Sequence, residues 1–153
     1  MNALTPDLAP ETDAERSHLQ AFEFDVRVYY EDTDAGGVVF YANYLKFFER
    51  ARTEWLRALG VNQSDIAQRL NRIFVVHSLD MRYLRPARLD DLLTIRSTIT
   101  RVGRASVHFA QTAVRNGELL AQGNIQVCTI DAAEFKTAEI PPEIRSKLKV
   151  FQE

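Results

Sequence analysis

The sequence predicts an α+β domain in which one long helix covers a single antiparallel sheet of five strands. Three observations predict this fold class. One stretch has the three-and-four spacing of a long amphipathic helix, and five stretches alternate apolar and polar residues. The last four alternating stretches follow one another with short connections, unlike a βαβ series. Because there is no internal repeat and no second core, we expect residues 22–153 to form one domain.

The N-terminal end of the chain has no regular pattern. Residues 1–21 contain two prolines and several acids without a sustained hydrophobic period, so we interpret them as a mobile extension. Residues 22–30 then alternate, which predicts a strand with Tyr30 on its apolar face. Acidic residues and paired glycines in residues 31–37 predict a loop after this strand.

The predicted central helix spans residues 43–59. Apolar side chains recur there at intervals of three and four: Tyr44, Phe47, Phe48, Ala51, Trp55 and Leu59. We expect Asn43 to cap this helix and Gly60 to close it. A shorter helix is expected at residues 64–70.

Four further strands are predicted in the rest of the chain. They are residues 74–84, 92–102, 105–115 and 118–131. Alternation places Val75 and Leu79 on the apolar face of the first, and Leu119 on the apolar face of the last. An Asn-Gly pair at residues 116–117 predicts a hairpin with a primed turn. A short closing helix is expected at residues 141–150.

Composition excludes several classes of function. Nineteen Lys plus Arg and 21 Asp plus Glu give a net charge of -2. This balance argues against general nucleic-acid binding, which requires an excess of basic residues. The single cysteine, Cys128, excludes an internal disulfide and a cysteine cluster for zinc, and it favours a reducing compartment. The N-terminal stretch does not resemble a secretory signal, and no segment approaches the roughly 20 apolar residues of a membrane span. We therefore expect a cytoplasmic protein.

The acidic loop before the central helix carries the main chemical signal. Free backbone N–H groups and the helix dipole at a helix start favour negative charge. A carboxylate beside such donors suits acyl transfer, because one group attacks or activates water while the donors stabilise the oxyanion. Thioester hydrolysis fits so sparse a site, because a thiolate leaves with little help.

Two other interpretations of this loop stay open at the level of the residues. Asp32 and Asp34 also fit solvated turn residues, one of which caps the helix. They fit a calcium or magnesium site as well, although the downstream Glu of an EF-hand loop is missing.

Two blocks of the sequence resemble hotdog-fold acyl-CoA thioesterases. The first is YEDTDAGGVVFYANYLKFFERART, residues 30–53, and the second is DMRYLRPARLDDLL, residues 80–93. They are most similar to the Tol-Pal-associated branch of the 4-hydroxybenzoyl-CoA thioesterase family, and the likeness covers residues 22–131. The resemblance implies an antiparallel five-stranded sheet wrapped around one long central helix. It also implies hydrolysis of an acyl-CoA to a free acid and CoA, with no metal or cofactor.

The resemblance implies roles for residues of the first block. Asp34, the second Asp of the motif, corresponds to the nucleophile or general base, and we expect it to be buried against the amide hydrogens of the helix start. The backbone around Val39, Phe40 and Tyr41 corresponds to the donors that polarise the thioester carbonyl. Tyr41 stands where Tol-Pal-associated members usually carry His. Its side chain is a second catalytic candidate near Asp34, a lining of the acyl pocket, or plain packing at the helix start.

Coenzyme A carries three phosphates, so basic side chains are expected near the site. Arg104 is the first choice, because the 4-hydroxybenzoyl-CoA relatives place basic residues at that turn. Arg85 and Arg88 are further candidates, and a solvated surface role is the alternative for each arginine. His77 lies on the apolar face of its predicted strand, where it either points toward the substrate pocket or is hydrogen-bonded in the core.

A five-stranded sheet with one covering helix leaves edges and a second face that need partners. The resemblance implies a homodimer or homotetramer with active sites at the dimer interface, where Asp34 of one chain faces arginines of another. It also implies candidate partners in the cell envelope (Tol-Pal) or in lipid synthesis. Two rival functions are a non-catalytic acyl-CoA-binding scaffold and a hotdog dehydratase. A dehydratase needs a His working with an acid, and the acidic loop has no His.

Overall fold

The computed structural model describes residues 21–153, and these form the α+β fold that the sequence predicts. One antiparallel sheet has the strand order β1-β3-β4-β5-β2. The strands are β1 (Phe22–Arg27), β2 (Arg72–Tyr83), β3 (Leu92–Val102), β4 (Ser106–Arg115) and β5 (Glu118–Asp131). The predicted mobile extension, except for its last residue, lies outside the described residues.

Three helices accompany the sheet in the described part of the chain. They are α1 (Asn43–Ala58), α2 (Gln63–Asp65), which continues as a π-helical turn (Ile66–Leu70), and α3 (Pro142–Lys149). The predicted central helix is therefore confirmed within one residue at its C-terminal end. Within residues 21–153, none of the helices is long and apolar enough to cross a bilayer.

The hydrophobic core lies between α1 and the inner face of the sheet. Phe47, Phe48 and Ala51 of α1 are completely buried, and so are Ile95 and Ile99 of β3. The three-and-four spacing that predicted an amphipathic helix thus corresponds to the face of α1 that the sheet covers. The opposite face of α1 carries charged, exposed side chains.

The first strand is shorter than the alternation predicts. β1 ends at Arg27, and a 3-10 turn at Tyr30–Asp32 follows it. Tyr30 is 82% exposed, so its predicted place on the apolar face is wrong. The turn diverts the chain because the Asp32 carboxylate accepts a hydrogen bond from the backbone N–H of Tyr29, 2.8 Å away.

Two β-bulges explain where the predicted strand faces are wrong. A bulge between Val76 and Ser78 shifts the alternation of β2, so Val76, not Val75, lies opposite the inward-facing Val127. A second irregularity, in β5 opposite Ala113 and Val114 of β4, leaves Leu120 without a partner and completely buried. The alternation predicts Leu119 on the apolar face instead. A single extra residue reverses the face of every residue beyond it, and alternation alone does not locate it.

The predicted hairpin between β4 and β5 is confirmed. Asn116 and Gly117 have φ angles of 49° and 78°, the positive values that a primed two-residue turn requires. Cross-strand pairing then runs from Arg115 opposite Glu118 to Ser106 opposite Cys128. This hairpin aligns the two long strands that form the centre of the sheet.

Gly123 of β5 is packed tightly against β2, with Phe48 of α1 also close to it, which leads to a test of the packing. A Cβ at this position would stand 2.4 Å from Met81 Sδ and 2.9 Å from the backbone oxygen of Asp80. We therefore expect Gly123→Ala to lower the free energy of unfolding by about 1–3 kcal/mol through overpacking. Urea denaturation measures this change. The neighbouring variant Asn124→Ala, at an exposed position, should change it by less than about 0.5 kcal/mol; equal effects of the two variants would contradict the close approach.

Candidate active site

The acidic loop folds into an ordered turn in front of α1. The N–H of Gly37 donates to the carbonyl oxygen of Asp34 (3.0 Å), and the N–H of Asp34 donates to the carbonyl oxygen of Val38 (2.9 Å). Single β-bridges pair Thr33 with Val39 and Val38 with Arg88. The loop therefore holds a defined conformation against the segment that precedes β3.

The Asp34 side chain is exposed in the single chain. Its Oδ1 accepts a hydrogen bond from the N–H of Gly36 (2.8 Å), which closes an Asx-type turn. The expectation that Asp34 is buried against the helix amides is wrong for the chain by itself, because the side chain caps its own turn. Its second oxygen, Oδ2, accepts no hydrogen bond from any residue that the structure describes, and it is available to a substrate or to water.

The buried carboxylate of the loop is Asp32, whose position the sequence did not reveal. Asp32 is only 5% exposed. Its Oδ1 accepts a hydrogen bond from Nδ2 of Asn43 (2.8 Å), and its Oδ2 accepts the bond from Tyr29 already described. Its backbone oxygen also accepts from the N–H of Phe40 (2.9 Å). Asp32 thus fastens the end of β1, the acidic turn and the start of α1 to one another.

Asn43 therefore does not cap α1, contrary to the sequence prediction. It is the first residue of the helix, and the N-cap position is occupied by Ala42, which makes no side-chain cap. The Asn43 side chain is buried and points back to Asp32 instead. No sequence pattern singled out this pair, because two polar residues 11 positions apart do not specify a contact.

Two free backbone donors lie at the start of α1. The N–H groups of Val39, Phe40 and Asn43 have acceptors at 2.8–2.9 Å, whereas those of Tyr41 and Ala42 have none among residues 21–153. Tyr41 is also exposed. Because the helix dipole places partial positive charge here, the N–H of Tyr41 is suited to bind a developing oxyanion.

Aromatic side chains form a shallow pocket beside this donor, with a volume of about 260 Å³. Its lining includes Val39, Tyr41, Tyr44, Tyr83 and Arg85. The Tyr83 hydroxyl donates to the carbonyl oxygen of Tyr41 (2.8 Å), and the N–H of Ala87 donates to the Tyr44 hydroxyl (3.2 Å). Burial raises the pKa of both Tyr44 and Tyr83 above the usual value, so both phenols stay neutral near neutral pH.

The structure separates the candidate arginines into two groups. Arg85 lines the aromatic pocket and Arg88 is bridged to Val38, so both lie beside the acidic turn. Arg104 follows the far end of β3, whose 11 residues span about 35 Å. Its side chain is 84% exposed there, and its Nε lies 3.8 Å from Oε2 of Glu139. Arg104 and Asp34 of the same chain thus lie at opposite ends of the sheet.

His77 is not part of the core. It is the residue of β2 without a partner in β5, at the bulge between Val76 and Ser78, and it is exposed. Its predicted orientation fails because the bulge interrupts the alternation. No group of three or more His, Cys, Asp or Glu side chains in the described part of the chain is placed to hold a metal ion.

The sheet wrapped around α1, with a carboxylate turn and a free N–H at the helix start, defines a hotdog domain with a candidate hydrolytic site. Comparison with known proteins agrees. A family model described as the thioesterase superfamily matches residues 36–122. The chain is 43% identical over 125 residues to acyl-CoA thioesterase YbgC of Haemophilus influenzae, covering 82% of this chain and 92% of that protein.

Two further proteins support the assignment. Acyl-CoA thioester hydrolase YbgC of Escherichia coli O157:H7 is 42% identical over 130 residues, covering 84% of this chain and 96% of that protein. The crystal structure of a probable thioesterase from Bartonella henselae superposes with a TM-score of 0.76 at 35% identity, covering 79% of this chain and 99% of that one. This chain therefore belongs to the thioesterase superfamily.

The bond between Asn43 and Asp32 can be tested by removing the donor. We expect Asn43→Ala to lower the free energy of unfolding by about 1–3 kcal/mol, because a buried carboxylate oxygen loses its partner. Chemical denaturation measures this effect. Lys46→Ala, an exposed position of the same helix, is the control and should have little effect. An unchanged stability of Asn43→Ala would mean that this bond does not hold the loop on the helix.

Proposed function

We propose that this protein is an acyl-CoA thioesterase in which Asp34 is the nucleophile or general base and the backbone at the start of α1 binds the thioester carbonyl. One observation carries the proposal: the free Asp34 oxygen and the free N–H of Tyr41 belong to one segment that Asp32 fastens in place. The names of the relatives supply the substrate class, a CoA thioester.

Two routes of hydrolysis use these groups. In the first, Asp34 attacks the thioester carbon, the CoA thiolate leaves, and water hydrolyses the resulting acyl anhydride to the free acid and the restored carboxylate. In the second, Asp34 accepts a proton from a water molecule that attacks the same carbon. In both routes the carbonyl oxygen becomes negative, and the N–H of Tyr41 stabilises that charge.

Val39, Phe40 and the Tyr41 ring shape the entrance to this site. Val39 and the Tyr41 ring line the aromatic pocket, while Phe40 is tilted against Tyr41 with ring centroids 4.7 Å apart. These apolar surfaces favour an acyl group over bulk water beside the reacting carbon. We assign the Tyr41 hydroxyl a second role in the same entrance, where it would hydrogen-bond a substrate held near Asp34.

Assembly supplies the other half of the site in this proposal. β2 is an edge strand, and Val76, Leu79 and Tyr83 on its inner face are each 44–47% exposed. An edge strand with exposed apolar side chains is a template for pairing with a second copy. We infer a homodimer formed through β2, which can pair further into a homotetramer.

Phosphate binding follows from the same assembly. Arg85 and Arg88 lie beside Asp34 in one chain, whereas Arg104 reaches a site only if it comes from another chain. We assign the CoA phosphates to these three arginines, with Arg104 contributed across the interface. His77, exposed on β2, becomes part of that interface and contacts substrate only there. The proposal places the enzyme in the cytoplasm, with cell-envelope (Tol-Pal) or lipid-synthesis proteins as candidate partners.

A specific observation favours one second function, a non-catalytic acyl-CoA-binding scaffold. Asp34 already has a structural role, since its Oδ1 closes the turn on Gly36. A dehydratase has less support, because His77 lies on the edge strand and His108 lies on the outer face of the sheet, opposite Gln126. Hydration of crotonyl-CoA without release of thiol would point to the dehydratase.

Asp34→Asn separates the enzyme from the scaffold. The amide keeps an oxygen for the turn but loses the charge, so we expect kcat for acyl-CoA hydrolysis to fall at least about 100-fold. A thiol-release assay over a panel of acyl-CoA esters measures this effect. Glu31→Gln, an exposed acid of the same loop, should retain nearly full activity. Comparable turnover by Asp34→Asn and the wild-type protein would reject the role assigned to Asp34.

The arginine assignments predict an effect on KM. We expect Arg104→Ala and Arg85→Ala each to raise KM for CoA esters about 10-fold with little change in kcat, because a phosphate contact binds ground state and transition state alike. Arg57→Ala, on the exposed side of α1, serves as the matched control. If KM of Arg104→Ala equals that of the control, Arg104 does not contact the nucleotide.

The interface through β2 predicts a change of mass. We expect Leu79→Lys to convert the assembly to monomers, because the substitution places like charges from the two copies beside each other. Sedimentation equilibrium measures the mass. Val150→Lys changes another exposed apolar residue outside β2 and should leave the assembly intact. An intact oligomer in Leu79→Lys would show that the copies associate elsewhere.

A further inference from the structure

A second, partly enclosed pocket lies farther along α1, between that helix and the inner face of the sheet. Its volume is about 100 Å³. Apolar side chains of β2, β4, β5 and α3 form most of its wall, and Glu49, Arg52 and Thr53 of α1 provide polar groups. None of the residues of the acidic turn or of the aromatic pocket belongs to it.

Arg52 is a buried cation in this pocket. It is 9% exposed, and its Nη1 donates to Oε1 of Gln111 (2.8 Å). Gln111 is held in turn, because its Nε2 donates to the backbone oxygen of Phe48 (3.0 Å) and to Oγ of Ser97 (2.8 Å). The guanidinium carbon lies 6.0 Å from the ring centroid of Phe109. The guanidinium is therefore fixed in position before any ligand arrives.

Arg52 has no ion pair within residues 21–153. Burial lowers its pKa, because a buried guanidinium loses the water that would stabilise its charge. The charge of nearby Glu49 acts in the opposite direction. A guanidinium has five N–H donors, and one of them has an acceptor in Gln111. A buried cation with unused donors is costly unless something else satisfies it.

The unused donors of Arg52 are not fully buried. Among the described side chains, Arg96 Nε is the one fully buried nitrogen or oxygen that lacks a hydrogen-bond partner, so the unpartnered nitrogens of Arg52 keep some accessible surface. Arg52 also lines this pocket, and we infer that its accessible donors face the pocket. The Thr53 hydroxyl is less available to a ligand, because it donates to Glu49 Oε1 (2.8 Å) and accepts from Gln63 Nε2 (3.1 Å).

The pocket and the candidate active site lie along the same two elements. Arg52 follows the first residue of α1, Asn43, by nine positions, which is about 14 Å along the helix axis. Tyr83, at the end of β2, contacts Tyr41 near the helix start, and Val75, near the beginning of β2, lines the pocket. α1 and β2 thus border both sites, one toward each end.

We propose that this pocket receives the far end of the acyl group, and that Arg52 selects acyl groups carrying an acceptor oxygen at that end. The inference rests on the proposed thioesterase function and adds a substrate class to it. A hydroxyl or a carboxylate supplies the acceptor. A hydroxyl can also donate to Glu49, whereas a carboxylate is repelled by Glu49 and gains more from Arg52.

Matched substrates test the proposal. Thiol release is measured with hexanoyl-, octanoyl- and decanoyl-CoA and with their ω-hydroxy and ω-carboxy counterparts. We expect wild-type kcat/KM to favour an oxygen-bearing ester over the plain ester of the same length. Arg52→Met should reduce that preference roughly 10- to 100-fold, because a charge-assisted hydrogen bond is lost. Whichever oxygen-bearing series shows the preference identifies the hydroxyl or the carboxylate as the ligand.

The controls separate selection from folding and from catalysis. Arg50→Met removes an exposed arginine of the same helix and should keep the wild-type preference. If Arg52→Met fails to fold, Arg52→Gln replaces it, and inhibition of the wild-type protein by the non-hydrolysable thioethers S-octyl-CoA, S-(ω-hydroxyoctyl)-CoA and S-(ω-carboxyheptyl)-CoA gives the same comparison. A wild-type protein that hydrolyses plain and oxygen-bearing esters equally at every length overturns this inference and leaves the thioesterase function standing. Absence of thiol release from every ester contradicts the thioesterase function, and binding of the three thioethers then decides whether the pocket prefers oxygen.

Discussion

The buried carboxylate of Asp32 is the contact on which the candidate site depends. It accepts hydrogen bonds from the backbone of Tyr29 and from the side chain of Asn43, so it joins the end of β1 to the first turn of α1. The segment 33–42 between Asp32 and Asn43 is thereby held as a closed turn. Without this contact, Asp34 and the N–H of Tyr41 would sit on a free loop, and their relative position would not be fixed.

In the proposed function, a single chain presents only part of the hydrolytic site. The carboxylate, the free N–H and two arginines lie at one end of the sheet, while Arg104 lies at the other. Asp34 and the apolar residues of β2 are exposed in the single chain, and the proposed interface would cover both. In the proposed dimer, the low dielectric that strengthens an oxyanion contact would come from the second copy rather than from the fold of one chain.

Most of the fold could be predicted from the sequence, because α1 and the strands are long and strongly periodic. The boundaries of β3 and β5 agree with the prediction, and the Asn-Gly turn fixes the hairpin between β4 and β5. The errors arise where one residue changes the register. The bulge at His77 moved that side chain out of the core, and the turn at Asp32 ended β1 early.

The candidate site was less predictable for a physical reason. Sequence spacing identified an acid at a helix start, but the role of each acid depends on a contact between Asp32 and Asn43, 11 positions apart, which no local pattern encodes. The same holds for Arg52 and Gln111, whose bond spans 59 positions. The sequence does not distinguish Arg52 from an exposed charged residue of the helix, because its burial depends on the packing around it.

A crystal structure of the protein with a non-hydrolysable acyl-CoA analogue, in which a methylene replaces the thioester sulfur, tests the central claim most directly. The account requires the analogue's carbonyl oxygen to lie within hydrogen-bond distance of the Tyr41 N–H, with an Asp34 oxygen facing the carbonyl carbon. An ordered analogue whose carbonyl lies away from the start of α1, with Asp34 still turned only toward Gly36, would contradict it.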